Sequence, residues 1–343
     1  MPPDAPGPRV PARAAGILLG FAADRLLADP RRYHPVAGFG RAAAAVERRL
    51  YADSRARGAA HAAALVGAAV ALGVAAERLT VRPTARAVVT AVATWTVLGG
   101  RTLDLEAGAV QGLLRSGDLP AARTRVRRLV GRDTGGLDVP EVSRAVVESV
   151  AENTSDAVVA PLVWGAVAGV PGLLGYRAVN TLDAMVGHRN ARYQRYGWAS
   201  ARLDDLVNLP GSRLTGVLTL VASPARAGDA WRTWRRDAGR HPSPNAGVAE
   251  AAFAGALGVR LGGTNRYDGN RVEHRAVMGD GRPPRPQDIT RARRLAGRVG
   301  AGAALTAAVT AAVLGRRQWG YRSSCSARRR PTRALWRRLR PGG

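Results

Sequence analysis

Lysine is absent from this 343-residue chain: all 52 basic residues are Arg, set against 25 acidic ones for a formal charge of +27. A Walker A phosphate loop needs its Lys, and Schiff-base chemistry needs a Lys amine, so both are excluded. The single Cys, Cys325, rules out intrachain disulfides and any multi-Cys zinc site. No Gly-x-Gly-x-x-Gly occurs. Aromatic residues make up only 5% of the chain and no known nucleic-acid motif is present, so the basic balance does not point to nucleic acid. It points to an anionic membrane surface or to anionic substrates. Ala14 to Ala23 is apolar but too short for a cleavable signal, and Asp24 ends it.

Strong hydrophobicity is also missing, with a mean hydropathy of −0.12. Charge-free runs are nevertheless present at Gly58 to Ala76, Ala87 to Gly100, Ala157 to Tyr176 and Val299 to Gly315. A membrane span needs roughly 17 or more apolar residues, which the first, third and fourth runs meet. The expected fold class is therefore all-α: a polytopic integral membrane protein with helical loops facing the cytoplasm. Buried helices of a soluble all-α protein are the alternative. Residues 1–13 are Pro-rich and expected to be loose, 14–315 form one membrane-embedded domain, and 316–343 read as an Arg-rich disordered tail drawn to anionic lipid. Gly16 and Gly20 permit close helix packing. Asp138 with Glu141 marks a helix start.

Polar residues concentrate between Glu148 and Arg213, on both sides of a membrane-length apolar run, where they are costly unless they have a task. Glu148, Glu152 and Asp156 follow Arg144 at steps of four, one face of a helix. Such a stripe can hold a divalent cation, with Arg144 holding a phosphate; a row of salt bridges on a solvated face is the plainer alternative. Asn180 with Asp183, and Asp204 with Asn208, each present two oxygens to one cation, though capping and turn formation also explain these residue types. Gly131 to Thr134 resembles a phosphate-contacting turn. His34 and His241 precede Pro in loops, and Tyr193, Tyr196 and Trp198 suit the wall of a ligand pocket or an interfacial anchor. The run from Ala157 to Tyr176 contains Pro161 and Gly169-Val-Pro171-Gly172. A straight 20-residue helix would part its flanks by roughly 30 Å, so shared use of both flanks requires a broken helix or re-entrant hairpin turning near Gly169 to Gly172.

Taken in order, six blocks resemble the cobinamide-phosphate synthase family (CbiB/CobD), the membrane protein of cobalamin biosynthesis. They are Asp24–Pro30 with His34–Val36, Leu129–Thr134, Glu148–Asp156, Tyr176–Gly187, Ala201–Asn208 and Ser243–Gly247. The family pattern after the fifth block is close to Pro-Ala-Arg-Leu, whereas here Pro210 stands one residue early before Arg213. The resemblance implies an ATP- and Mg²⁺-dependent amide ligation, with no tightly bound prosthetic group. A propionate carboxyl of the corrinoid adenosylcobyric acid is joined to aminopropanol or its O-phosphate. Carboxylate and amine give no amide unaided, and activation as an acyl phosphate calls for metal and cations around the phosphoryl group. On that reading Glu152, Asp156, Asp183 and His34 are catalytic. Glu148, Glu152, Asp156, Asp183, Asp204 and Asp205 are metal candidates. Arg132, Asp133, Asn153, Asn180, Thr181, Arg202, Asn208, Arg213, Ser243 and Asn245 bind substrate or phosphate. The implied location is the cell membrane, with the site facing the cytoplasm and other cobalamin-assembly proteins as possible partners. A non-catalytic AmpE-like inner-membrane protein is the competing class.

Overall fold

The computed structural model describes residues 12–29, 34–188, 190–267 and 271–328. Helix α1 (Ala12–Leu27) opens the described chain, followed by α2 (Pro35–Leu50), α3 (Arg55–Leu79) and α4 (Pro83–Val97). Gly16 and Gly20 let α1 lie directly on α4: a Cβ at either would come within 2.5 Å of Thr90 or Thr94. Next are α5 (Gly100–Arg115), α6 (Leu119–Val126) and α7 (Val139–Thr154). The Asp138/Glu141 capping box stands at the start of α7, as its sequence signature required. A π-turn, Ser155–Val159, joins α7 to α8 (Ala160–Val186). Then come α9 (Trp198–Val207), α10 (Leu209–Ala222), α11 (Ala227–Asp237) and α12 (Ala246–Leu257). An antiparallel hairpin of β1 (Leu261–Tyr267) and β2 (Arg271–Met278) precedes α13 (Pro286–Arg328).

Three helical stretches are long and apolar enough to cross a membrane: Arg55–Leu79, Val139–Val186 and Pro286–Arg316. Only 17% of the most apolar window of α3 is buried within the protein. Leu72 and Leu79 on its surface are 64% and 83% exposed. A core helix of a soluble protein would hide that face; α3, about 37 Å long at 1.5 Å per residue, suits lipid instead. By contrast, every residue of α12 is buried, and so is α7 from Val142 to Ala151 apart from Arg144. These two helices, with α5 and α13 from Ile289 to Ala311, build much of the main core, largely from Ala and Val.

The stretch Val139–Val186 is not one straight rod. Gly169 has φ 68° and ψ −146°, a conformation essentially reserved for glycine, and Pro171 follows. The chain folds back there: a Cβ on Gly172 would meet the Trp164 carbonyl at 2.2 Å, and one on Gly165 would meet Leu173 at 2.8 Å. Twenty residues apart in sequence, the Tyr176 hydroxyl lies 2.9 Å from the Asp156 carbonyl oxygen. Helix α8 is thus two arms of a hairpin, and the straight span is excluded.

Two charged side chains finish the hairpin tip. Arg13 donates to the carbonyls of Ala166 and Val167, the orphan acceptors of the first arm. Glu77, at the end of α3, accepts from the Val170 amide of the second arm at 3.0 Å and pairs with Arg13 at 3.8 Å. Each thereby sits at the helix end whose partial charge it opposes.

Helix α13 continues past Gly315 to Arg328; residues 329–343, like 1–11, lie outside the described residues. Helices α9 and α10 meet directly at Asn208. The early Pro210 sits in the first turn of α10, where no amide hydrogen is needed.

Candidate functional site

At the open end of the α8 hairpin, the carboxylates of Glu152, Asp156, Asp183 and Asp204 converge. Glu152 comes from the last turn of α7, Asp156 from the π-turn, Asp183 from the second arm of α8 and Asp204 from α9. Asp156 lies within electrostatic reach of the other three, and Asp183 within reach of Asp204, Asp205 and Glu152. All four are half-buried, so the cluster keeps a path to solvent. The π-turn matters here: its wider turn takes Asp156 off the regular step of four that Glu148 and Glu152 follow.

Amides and a phenol frame these acids. Asn208 donates its side-chain amide to Asp204 at 2.9 Å, and Asn180 donates to the other Asp204 oxygen at 3.5 Å. The Tyr176 hydroxyl stands 2.6 Å from the Asn208 side-chain oxygen. Burial pushes the Asp204 carboxyl up to about 6, against the Asn208 and Asn180 amides that favour its charged form. Asp156 Oδ1 is buried without a hydrogen-bond partner. That is an expensive state for a carboxylate oxygen, and a bound cation would relieve it. Among the described residues no group of three or more His, Cys, Asp or Glu stands ready-made as a metal site.

Several residues singled out from sequence have other tasks. Both oxygens of Glu148 are engaged: Oε2 accepts from Arg132 at 2.8 Å and Oε1 from the Gly262 amide at 2.8 Å. Glu148 is 5% exposed, which the solvated-face reading does not fit; it pins the β-hairpin and the Arg132 turn to α7. Arg144 donates to the carbonyls of Gly262 and Thr264, which places it on that hairpin rather than on a phosphate. Arg213 donates to Ser212, Pro244 and Asn245. Asn245 in turn donates to the Asp205 carbonyl at 2.7 Å, and Ser243 accepts from the Asn245 and Ala246 amides. The Ser243–Gly247 block is therefore the joint that ties α9 and α10 to α12. Arg202 lies on the surface, 3.7 Å from Asp205.

Asp133 closes an exposed turn on the Gly135 amide. Asn153 donates back to Ser149, and Thr181 to the Arg177 carbonyl. His34 caps α2 through the Val36 amide and stands 3.7 Å from Asp29. Tyr196 is fully buried against Tyr51 and His61, and Tyr193 donates to Glu47. These two tyrosines pack α2 and α3 against the segment after α8; they do not line the acidic site.

Two further residues belong to the region. Arg177 sits on the second arm of α8 within reach of Asp29 and Asp156, and it links the Asp24–His34 block to the acids. Glu250, 1% exposed on α12, lies 3.6 Å from His241 and within reach of Glu148 and Glu152. A lone Glu inside the Ala-rich run Val248 to Leu257 was the available signal for it. For Arg177, one Arg among 52, there was none beyond its place in the Tyr176–Gly187 block.

Comparison with known proteins places these features. A family model described as CobD/Cbib protein matches residues 17–296. A protein of Mycobacterium tuberculosis named Cobalamin biosynthesis protein CobD is 52% identical over 300 residues, covering 86% of this chain and 95% of its own. Proteins of the same name from Geobacter metallireducens and Rhizobium meliloti are 47% and 41% identical, covering 80% and 78% of this chain and 89% and 86% of theirs. No solved structure matches. The match runs from α1 into α13 and takes in the converging carboxylates and the hairpin that presents them: the chain belongs to the CobD/CbiB family.

Proposed function

We propose that this protein acts in cobalamin biosynthesis as an ATP-dependent amide ligase of the cell membrane. It would join a propionate carboxyl of adenosylcobyric acid to aminopropanol or aminopropanol O-phosphate. The observation that carries this reading is the convergence of Glu152, Asp156, Asp183 and Asp204 at the open end of the α8 hairpin. Four acids gathered from four segments, one with an unpartnered buried oxygen, are hard to explain as packing. They suit a hard cation that shares its coordination between one or two carboxylates and phosphate oxygens, as Mg²⁺ does with a nucleotide.

The chemistry balances in two steps. The corrinoid carboxylate takes the γ-phosphoryl group of ATP to give an acyl phosphate and ADP. The amine nitrogen then attacks the acyl carbon, releasing inorganic phosphate and a proton and leaving the amide. Mg²⁺ would supply charge neutralisation at the phosphates. One or two of Glu152, Asp156, Asp183 and Asp204 would hold it. Asn180, Asn208 and Tyr176 would fix the orientation of Asp204. A carboxylate of the cluster not occupied by the cation would take the amine proton. His34, which stands at Asp29 as a helix cap, is placed less well for that task.

A multi-pass arrangement with the site on the cytoplasmic side accords with the use of ATP and with the Arg-rich segments flanking the hairpin. The acid cluster favours catalysis over a sensor of the AmpE-like kind, for which it offers no explanation. The test is substitution. Asp156→Asn, Asp183→Asn and Asp204→Asn should each lower product formation at least about 100-fold, the scale of losing a transition-state electrostatic contact, with membrane insertion unchanged. Normal turnover in a variant would remove that residue from the site.

A further inference from the structure

Resting on this ligase reading, we propose that Arg177 is the side chain that grips a phosphoryl group in the site. The arginines singled out from the sequence have other partners among the described residues, and Arg275, also within reach of Glu152, stands on β2 outside the α8 hairpin. Arg132 is engaged with Glu148, and Arg144 holds the β-hairpin. Arg213 holds the joint before α12, and Arg202 is a surface residue beside Asp205. Arg177 differs in both place and partners. It projects from the arm of α8 that also carries Asn180 and Asp183, within electrostatic reach of Asp156 and Asp29. Its Nη1 donates to the Asn180 side-chain oxygen at 3.2 Å. Among the described residues its Nε is buried without a partner, and its Nη2 makes no hydrogen bond or ion pair. Asp29 makes no hydrogen bond or ion pair to it among the described residues; the Asp29 Oδ1 stands 3.7 Å from His34 instead.

A guanidinium keeps its charge and offers a rigid fork of donors that matches phosphate oxygens. Placed beside a carboxylate cluster, it gives the site the two halves that phosphoryl recognition needs: acids for the cation and a cation for the free oxygens. The Asn180 contact orients the fork while leaving Nη2 available. Two groups share this chemistry, a phosphoryl of the nucleotide and the phosphate of a phosphorylated amine.

The experiment uses the full chain in lipid nanodiscs, as wild type, Arg177→Gln and Arg177→Lys. Equilibrium binding of Mg²⁺ with a non-hydrolysable ATP analogue is measured first. KM values follow for ATP, aminopropanol and aminopropanol O-phosphate. Loss of a charge-assisted phosphate contact corresponds to about 10- to 100-fold in affinity. If Arg177 grips the nucleotide, Arg177→Gln weakens analogue binding and raises the KM for ATP by that factor, with both amines unaffected. If it grips the amine phosphate, analogue binding is unchanged and the preference for the phosphorylated amine collapses by the same factor. Arg177→Lys, which keeps the charge but not the fork, falls between in either case. Wild-type constants in both variants would overturn the inference. So would a fall in kcat alone, equal for all substrates, which would make Arg177 a mere counter-ion of the acids. Should Arg177→Gln fail to insert, wild-type constants in Arg177→Lys overturn it equally. If wild type itself neither binds the analogue nor makes product, the ligase reading has failed, a different result from either.

Discussion

Asp24 carries its charge at a cost. It is fully buried between α1, α5 and α13, its Oδ2 has no hydrogen-bond partner, and burial pushes its carboxyl up to about 6 from 3.8. A carboxyl raised in the folded state holds its proton where the unfolded chain has released it. Stability therefore declines as pH rises from about 4 to about 6 and is level above that, by about 3 kcal/mol at most for a shift of this size. Asp24→Asn should abolish that decline, so that it gains on wild type in thermal midpoint between pH 5 and pH 7.5. Parallel curves for the two proteins would show that Asp24 does not titrate in this way. At this scale the sequence was only partly legible. Glu148 and Glu152 stand four apart on one helix and read alike. Only three-dimensional structure shows that Arg132 and the Gly262 amide claim Glu148, while Glu152 faces the acid cluster. Such partners lie 16 and 114 residues away, and no local pattern encodes them.

The hairpin is the element on which the site depends. Its turn was legible because Gly and Pro are local punctuation: Gly169, Pro171 and Gly172 interrupt an otherwise uniform apolar run. Its fastening was not, because Arg13 and Glu77 reach the tip from α1 and α3. The β-hairpin has no such local signal: β1 is made a strand by its pairing with β2 and by the anchor through Arg144 and Glu148. Gly169→Ala tests the turn. Its φ of 68° disfavours any side chain, and the new Cβ would stand 2.1 Å from Glu77 Oε1, so the Val170 cap and the backbone are strained together. The expected loss is about 1–3 kcal/mol, read as a lower thermal midpoint in detergent. An unchanged midpoint would mean that the tip is not held as described.

For the whole molecule, the division is between a lipid-facing part and a helical body. The outer faces of α3 and α13 are apolar and exposed, including Leu72, Leu305 and Val309, whereas α7 and α12 lie in the core. Moderate hydropathy spread over Ala and Gly left the overall composition unable to make that distinction; the charge-free runs carried it. Single cysteines in a Cys325→Ser background test the arrangement. Asp133 lies in the turn before α7, His188 follows α8, and Val81 lies beyond Glu77 at the hairpin-tip end of α3; all three are exposed. Cysteines at 133 and 188 should label from one face of sealed vesicles and a cysteine at 81 from the other. Labelling of 133 and 188 from opposite faces would contradict a hairpin that returns both flanks to one side.

The central claim is the reaction, and its most direct measurement is mass spectrometry of a complete mixture. Purified protein in nanodiscs would be incubated with adenosylcobyric acid, ATP, Mg²⁺ and aminopropanol or its O-phosphate. The expected result is the mass of the corrinoid amide, formed together with one ADP and one inorganic phosphate, and absent when ATP or Mg²⁺ is withheld. Amide formed without nucleotide consumption, or no amide with either amine from protein that is correctly inserted, would contradict it.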